Sequence, residues 1–159
     1  MTTHAEPMPH IPGVVRLFDP LARRLLALGM PVGPNILLSV RGRTSGLPRQ
    51  FAVAIVELDG RRWVAGTFGD ANWVRNLRAA GEGAIRISGR WQPVLARELN
   101  PAETVAFFDT VLVRYFGRMR LPGRTLIRVF LRLTAPEVLD DPATAAQGCP
   151  VFELIPATD

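Results

Sequence analysis

Apolar positions along the chain alternate between a helical and an extended period, and the changes of period divide it into elements. Val14, Leu17, Phe18, Leu21, Leu25 and Leu28 recur at helical spacing, with Arg16, Asp19, Arg23 and Arg24 mostly off that stripe. Gly29 and Pro31 end this helix. Residues 35–41 and 50–57 are apolar runs on either side of a glycine-rich turn, and Asp59-Gly60 makes a hairpin with a strand over 61–67. Asn72 or Asp70 can cap a helix over 73–80 that Gly81 stops. Residues 84–88 and 91–99 form a second hairpin around Gly89-Arg90, and Pro93 predicts that its second strand is at an edge or bulged.

Asn100-Pro101-Ala102-Glu103 combines an N-cap, a proline at the first helical position and a glutamate at the third, which predicts a helix to Phe116. A further helix over 122–133 carries Arg124, Arg128 and Arg132 at i, i+4 spacing, with Leu126, Ile127, Phe130 and Leu131 elsewhere. A loop rich in Ala, Asp and Pro leads to a last strand over 151–155. The expected organisation is a loose, Pro-rich arm over 1–12 followed by one domain over 13–159. The order of elements defines an α+β fold with a mainly antiparallel sheet, whose six short strands can close into a small barrel.

Charge changes this picture. All 19 basic residues are arginine, and they are unevenly placed. Residues 41–132 carry 16 Arg against 7 acidic residues, whereas 133–159 carry 5 acidic residues and no Arg. Arginine grips phosphate and carboxylate through a bidentate fork. No helix-turn-helix, zinc-finger or RNP-like pattern accompanies it, so a small acidic ligand is expected rather than nucleic acid.

The other candidate chemistry is sparse. Cys149 is the single cysteine, which excludes an internal disulfide, and His4 and His10 both lie in the Pro-rich N-terminal segment. Ser-His-Asp and Cys-His catalysis, and a metal site, are therefore poorly supported. The start lacks the pattern of a signal peptide, and the longest uncharged stretch, residues 25–40, is too short and too broken to span a bilayer. A cytoplasmic protein is expected. The basic helix over 14–28 either covers a core or rests peripherally on the inner face of the membrane.

The turn between the first two strands carries the sharpest signal. Gly42-Arg43-Thr44-Ser45-Gly46 lies between Arg41 and Arg49, so amides, hydroxyls and guanidinium groups converge where two glycines permit close approach. That combination suits a phosphate; the plain alternative is a solvated hairpin turn.

Four blocks resemble the deazaflavin-dependent nitroreductase family, relatives of the split β-barrel flavin-binding proteins. They are residues 37–46 with Arg49, Asp59-Gly60-Arg61-Arg62-Trp63-Val64, Asn72-Trp73-Val74-Arg75-Asn76-Leu77-Arg78-Ala79, and Pro150-Val151-Phe152-Glu153-Leu154. The resemblance implies a split β-barrel that binds coenzyme F420, a deazaflavin with a phosphodiester and an oligoglutamate tail, and transfers a hydride to a small acceptor such as a nitroaromatic, quinone or enone. FMN in the same barrel is the alternative cofactor, and a non-catalytic F420 carrier the alternative role.

By the same resemblance, Arg41, Arg43, Thr44, Ser45 and Gly46 would hold phosphate, and Arg49 would pair with phosphate or a tail carboxylate. The backbone of Thr67, Phe68 and Gly69 would meet the deazaflavin ring, near Trp73 and Asn76. Trp73 can equally be a packing anchor, Asn76 a local hydrogen-bonder, and Arg75 and Arg78 solvated. Tyr115, the only tyrosine, is the candidate proton donor, with a packed core tyrosine as its alternative. The resemblance departs at Thr44, where many members carry a basic residue, and at the short Gly69-Asp70-Ala71 loop. Barrels of this kind often dimerise, so a homodimer is a further expectation.

Overall fold

The computed structural model describes residues 35–158, so the arm over 1–12 and the helix expected over 14–28 lie outside the described residues. Six strands form a closed antiparallel barrel: β1 (Asn35–Arg41), β2 (Pro48–Leu58), β3 (Arg61–Ala65), β4 (Glu82–Ile87), β5 (Arg90–Glu98) and β6 (Val151–Pro156). Around the barrel the order is β1-β2-β3-β6-β5-β4, with β4 returning to pair with β1. The C-terminal strand thus inserts between β3 and β5, and no strand is left with an open edge.

Period-two patterning gives the barrel two faces. Ile36, Leu38 and Val40 of β1, Val53 of β2, Val64 of β3 and Phe152 and Leu154 of β6 point inward. Helix α1 (Asn72–Ala80) adds Val74 and Leu77 to the same core, stopping one end of the barrel. Gly81 ends this helix in the left-handed conformation (φ 66°) and donates its N–H to the Leu77 carbonyl, as its position predicts. Gly83 on β4 permits a close approach there, since a Cβ would lie 2.8 Å from the Ser39 carbonyl oxygen.

The opposite face of β2, β3 and β6 carries a layer of helices. Val56, Leu58, Trp63 and Val151 pack against Phe107, Phe108, Leu112, Phe116, Leu131 and Val138. The layer runs through α2 (Pro101–Ala106), a π-helical turn (Phe107–Val111), α3 (Leu112–Arg118), α4 (Gly123–Thr134), α5 (Glu137–Asp140) and α6 (Pro142–Gly148), the last adding Ala145 to the same core. The Asn100–Glu103 capping box forms as its sequence predicts.

Five local expectations are corrected. The strand over 61–67 ends at Ala65, because Gly66 turns the chain and donates to the Pro150 carbonyl at 2.7 Å. Neither Asp70 nor Asn72 caps α1. Asp70 is held by Arg75 and Arg78, the Asn72 oxygen faces Arg43, and Ala71 occupies the N-cap without a side-chain bond. The second hairpin turns at Ser88-Gly89, both at positive φ, one residue earlier than expected. Pro93 is neither at an edge nor bulged: it pairs with Ala84, and its carbonyl accepts from Ala157 N–H, so its missing donor faces the point where β6 has ended. The Ala, Asp and Pro-rich segment is not loop but α5 and α6, the latter capped by Asp141, whose side chain accepts from Thr144 N–H.

Candidate functional site

The glycine-rich turn is built by its own backbone and then fastened to α1. Gly42 N–H donates to the Leu47 carbonyl at 2.9 Å, and Gly46 N–H donates to the Gly42 carbonyl at 2.8 Å. Gly46 has φ 69°, the left-handed region that favours glycine. At Gly42 a Cβ would lie 2.8 Å from Ser45 Oγ and 3.3 Å from the Leu47 carbonyl oxygen, so only glycine keeps the turn this tight. Ser45 Oγ in turn accepts from Leu47 N–H at 3.3 Å.

Asn76 makes the tertiary link. Its Oδ1 accepts from the Arg43 backbone N–H at 3.2 Å and from Arg43 Nη1 at 2.9 Å. One helical turn earlier, Asn72 Oδ1 lies 3.4 Å from Arg43 Nη2. Asn72 and Asn76 stand at i, i+4 on α1 and present two amide oxygens along one side of the helix. Asn76 is buried, so its oxygen requires a partner, and the turn supplies it. Residues expected to act together are thereby brought together: the turn, the 66–71 connection and the first half of α1 share one end of the barrel.

The arginines of this end divide into two groups. Arg75 and Arg78 belong to ion pairs: Arg75 with Asp70 at 3.1 Å, and Arg78 with Asp70 and Glu98, both at 2.7 Å. Burial alone would raise the Asp70 carboxyl, but hydrogen bonds and charge from Arg78 and Arg75 outweigh it and hold it below the ordinary range. Arg41, Arg43 and Arg49 contact no carboxylate among the described residues. Among the described residues Arg43 binds only neutral amide oxygens, which leave its charge uncancelled there. Arg49 pairs in register with Val40, on the strand face that carries Phe51 and Val53 into the barrel, and its Cγ lies over Gly42. Thr44 and Ser45 are exposed.

The segment after β3 is tightly folded. A Cβ on Gly66 would meet Val74 Cγ2 at 2.8 Å and the Gly69 carbonyl oxygen at 2.9 Å. Gly69 N–H donates to Gly66, and the Thr67 carbonyl accepts the Cys149 thiol at 3.6 Å, so two of the expected ring contacts are already engaged internally. Burial, then the charge of Glu137, pushes the Cys149 thiol up to about 11, which makes it a packing residue. Trp73 is half-buried and tilted against Phe152 with centroids 6.3 Å apart, the packing-anchor arrangement.

Tyr115 is not brought to this end. It packs in the helical layer beside Phe116, near the Glu57 end of β2. Eight residues of β2 separate Glu57 from Arg49, about 25 Å of extended chain. Burial, then the charge of Glu57, raises the Tyr115 hydroxyl above its ordinary value. Reading the sequence missed the bond between Arg43 and Asn76; the two asparagines spaced four apart on a predicted helix were the available signal.

Fold and site together define a closed antiparallel six-stranded barrel with an arginine-rich, glycine-shaped turn clamped to a stopper helix. A model of the F420H(2)-dependent quinone reductase family matches residues 16–129, and the chain belongs to that family. The resemblance to F420-dependent enzymes drawn from the sequence holds at this level, and nothing in the match favours FMN.

Among solved structures, a protein of unknown function from Agrobacterium tumefaciens is 16% identical with a TM-score of 0.52, the match covering 99% of this chain and 60% of that one. An F420-H2 dependent reductase (FDR-A) is 19% identical, with a TM-score of 0.46 and coverage of 76% of this chain and 93% of its own. A domain-swapped dimer is also 19% identical, with a TM-score of 0.49 and coverage of 89% and 97%. At these identities the Agrobacterium likeness speaks to the fold alone. No curated protein matches the chain significantly.

Proposed function

We propose that this protein is a coenzyme F420-dependent reductase that passes a hydride from the reduced deazaflavin to a quinone or similarly activated small acceptor. The observation that carries the reading is the turn from Gly42 to Arg49. It is fixed by its own backbone, by the Ser45 hydroxyl and by Asn76, and it leaves Arg41, Thr44 and Arg49 exposed without a carboxylate among the described residues.

The donor set fits a phosphodiester and carboxylate tail. Charge-assisted bonds from Arg49 and Arg41 would hold the anion, hydroxyls and turn amides would complete its coordination, and the missing Cβ of Gly42 keeps the cradle compact. Arg43 would add charge from its fixed place across Asn72 and Asn76. Bound reduced deazaflavin supplies the hydride, so the protein needs no nucleophile or metal of its own for that step. Trp73 and the Thr67–Gly69 connection would border the ring, and the packed barrel interior would keep water from that side. Tyr115 has no part in this reading, because it lies by the other end of β2.

Titration of the full-length protein with F420, followed by fluorescence, tests the proposal. Arg49→Ala is expected to weaken binding by about 1.5–3 kcal/mol, the range for a hydrogen bond to a charged group. An unchanged Kd in a folded Arg49→Ala protein would remove the turn from the cofactor site. Turnover with a quinone, against none with a carrier, separates enzyme from binding protein.

A further inference from the structure

We propose that the helical layer holds a second binding site, a pocket for a small amphipathic anion with an apolar body and a carboxylate or phosphate head. A cavity of about 310 Å³ lies between α3, α4 and α5. Phe108, Leu112, Phe116 and Val138, all buried, form its apolar wall, and no acidic side chain lines it. Phe108 comes from the π-helical turn, a conformation that recurs at functional sites. Mostly apolar walls, a volume of at least about 300 Å³ and a few polar groups are the properties of small-molecule sites.

Charge selects the occupant. The polar groups are Arg124 and Arg128, which stand at i, i+4 on α4 and both line the cavity. Arg132, one turn on, is paired with Asp140, whereas Arg124 and Arg128 contact no carboxylate among the described residues. Like charges at this spacing destabilise a helix, and an anion held between the two guanidinium groups would turn that repulsion into attraction. Gly117 of α3 also lines the cavity, and a Cβ placed there would meet nothing packed against it within 4 Å. A glycine inside a helix lowers its stability, so the space left here brings no folding benefit. Its effect is to keep an entrance open, since Val113, Gly117 and Arg128 are exposed along the rim.

This pocket is separate from the Gly42–Arg49 turn. Arg114 and Arg118 of the same α3 reach Asp59, which follows the other end of β2. The site goes beyond the reductase reading above and does not depend on it: a ligand in the helical layer and an anion on the turn are expected to bind independently.

Isothermal titration of the full-length protein with decanoate, decyl phosphate and decanol, each below its aggregation limit, provides the test. Saturable binding of an anion is expected, roughly tenfold or more tighter than that of decanol, and the tighter of the two anions identifies the head group. Arg124→Gln with Arg128→Gln should weaken it roughly tenfold or more. Gly117→Leu should abolish it by filling the entrance while both arginines stay in place. Val113→Trp, at a rim position that is 61% exposed, closes the same entrance independently. These positions are exposed or half-buried, so the variants should fold, which circular dichroism verifies, and none should change F420 fluorescence titrations. Absence of binding overturns the proposal, as does equal affinity for decanol or an unchanged affinity in the arginine variant. Loss in the arginine variant with full affinity in both Gly117→Leu and Val113→Trp would place the anion on the outer surface of α4 and overturn the pocket. Competition between the anion and F420 would move it to the cofactor turn and overturn the second site.

Discussion

The two turns at the ends of β2 are both short, glycine-containing and surrounded by arginine, yet they differ in what the arginines meet. At the Asp59-Gly60 end, Arg114 and Arg118 converge on Asp59, Arg62 meets Glu57, and Arg61 meets Glu153. At the Gly42–Arg49 turn, Arg41, Arg43 and Arg49 meet amide oxygens or solvent, with no carboxylate among the described residues, while Arg75 and Arg78 of the neighbouring helix are paired with Asp70 and Glu98. The first end is an internally balanced joint between barrel and helices. The second carries uncancelled positive charge on a rigid frame, which is what an anion requires. Counting arginines in the sequence does not separate the two, because the distinction lies in partners that the fold supplies.

The largest effect expected from this division falls on stability at the joint. Trp63 is buried where β3 meets the helical layer, tilted against Phe107 with centroids 5.9 Å apart. Trp63→Ala should lower the free energy of unfolding by about 3–5 kcal/mol in urea titrations. The F420 affinity of the folded fraction should stay near wild type. A matching loss of affinity would mean that the two ends are coupled through the barrel.

Asn76→Ala strikes the other end. It removes the buried acceptor of Arg43 N–H and Nη1 and should cost about 2 kcal/mol of stability. Here F420 affinity should fall as well, because the turn loses its link to α1. Loss of stability with an unchanged Kd would show that the cradle holds its shape without the clamp.

How much of this was legible beforehand depended on range. The apolar runs over 35–41 and 50–57 and the Asp59-Gly60 hairpin leading into 61–67 expose strands because run and turn signals are local, although the third strand stops at Ala65. The Asn100–Glu103 box was readable for the same reason: both its hydrogen bonds close within four residues. Asp141-Pro142 carried a comparable N-cap signal for α6, obscured by the alanine- and proline-rich composition around it. Insertion of β6 between β3 and β5 was not readable, since Ala96↔Leu154 and Arg62↔Leu154 are pairings over long separations. In the site, the glycines and arginines of the turn could be read. That Arg43 would spend its donors on Asn76, 33 residues away, could not.

A pH series sharpens the account of the balanced end. Burial alone would raise the Glu153 carboxyl, but hydrogen bonds from Arg97 and Arg61, at 2.8 Å and 2.7 Å, and their charges hold it below its usual 4.5. A depressed folded-state value contributes stability that is complete above about 4.5, where the unfolded chain titrates, and is lost as pH falls through the lower folded value. Glu153→Gln should therefore be less stable than wild type at pH 7, and the gap should narrow below about pH 4.5. A gap that is constant with pH would attribute the loss to packing rather than charge.

The smallest expected effect is the most discriminating. Arg114 lies 2.9 Å from Asp59, with both side chains about half exposed, and Arg118 holds the same carboxylate at 2.7 Å. Exposed pairs of this kind contribute little, and here a second arginine remains to satisfy Asp59. Arg114→Ala should leave the urea midpoint and the F420 Kd within error of wild type, while Arg49→Ala weakens binding at least tenfold. The two changes delete the same side chain from opposite ends of one barrel strand and its neighbouring helix, so net charge falls equally in both. If the affinities fell equally, the ligand would be responding to the overall positive field of the protein, and the turn would lose its claim to the anion. If only Arg49→Ala weakens binding, the effect belongs to the place where an arginine lacks a carboxylate, which is the property that separates the two ends.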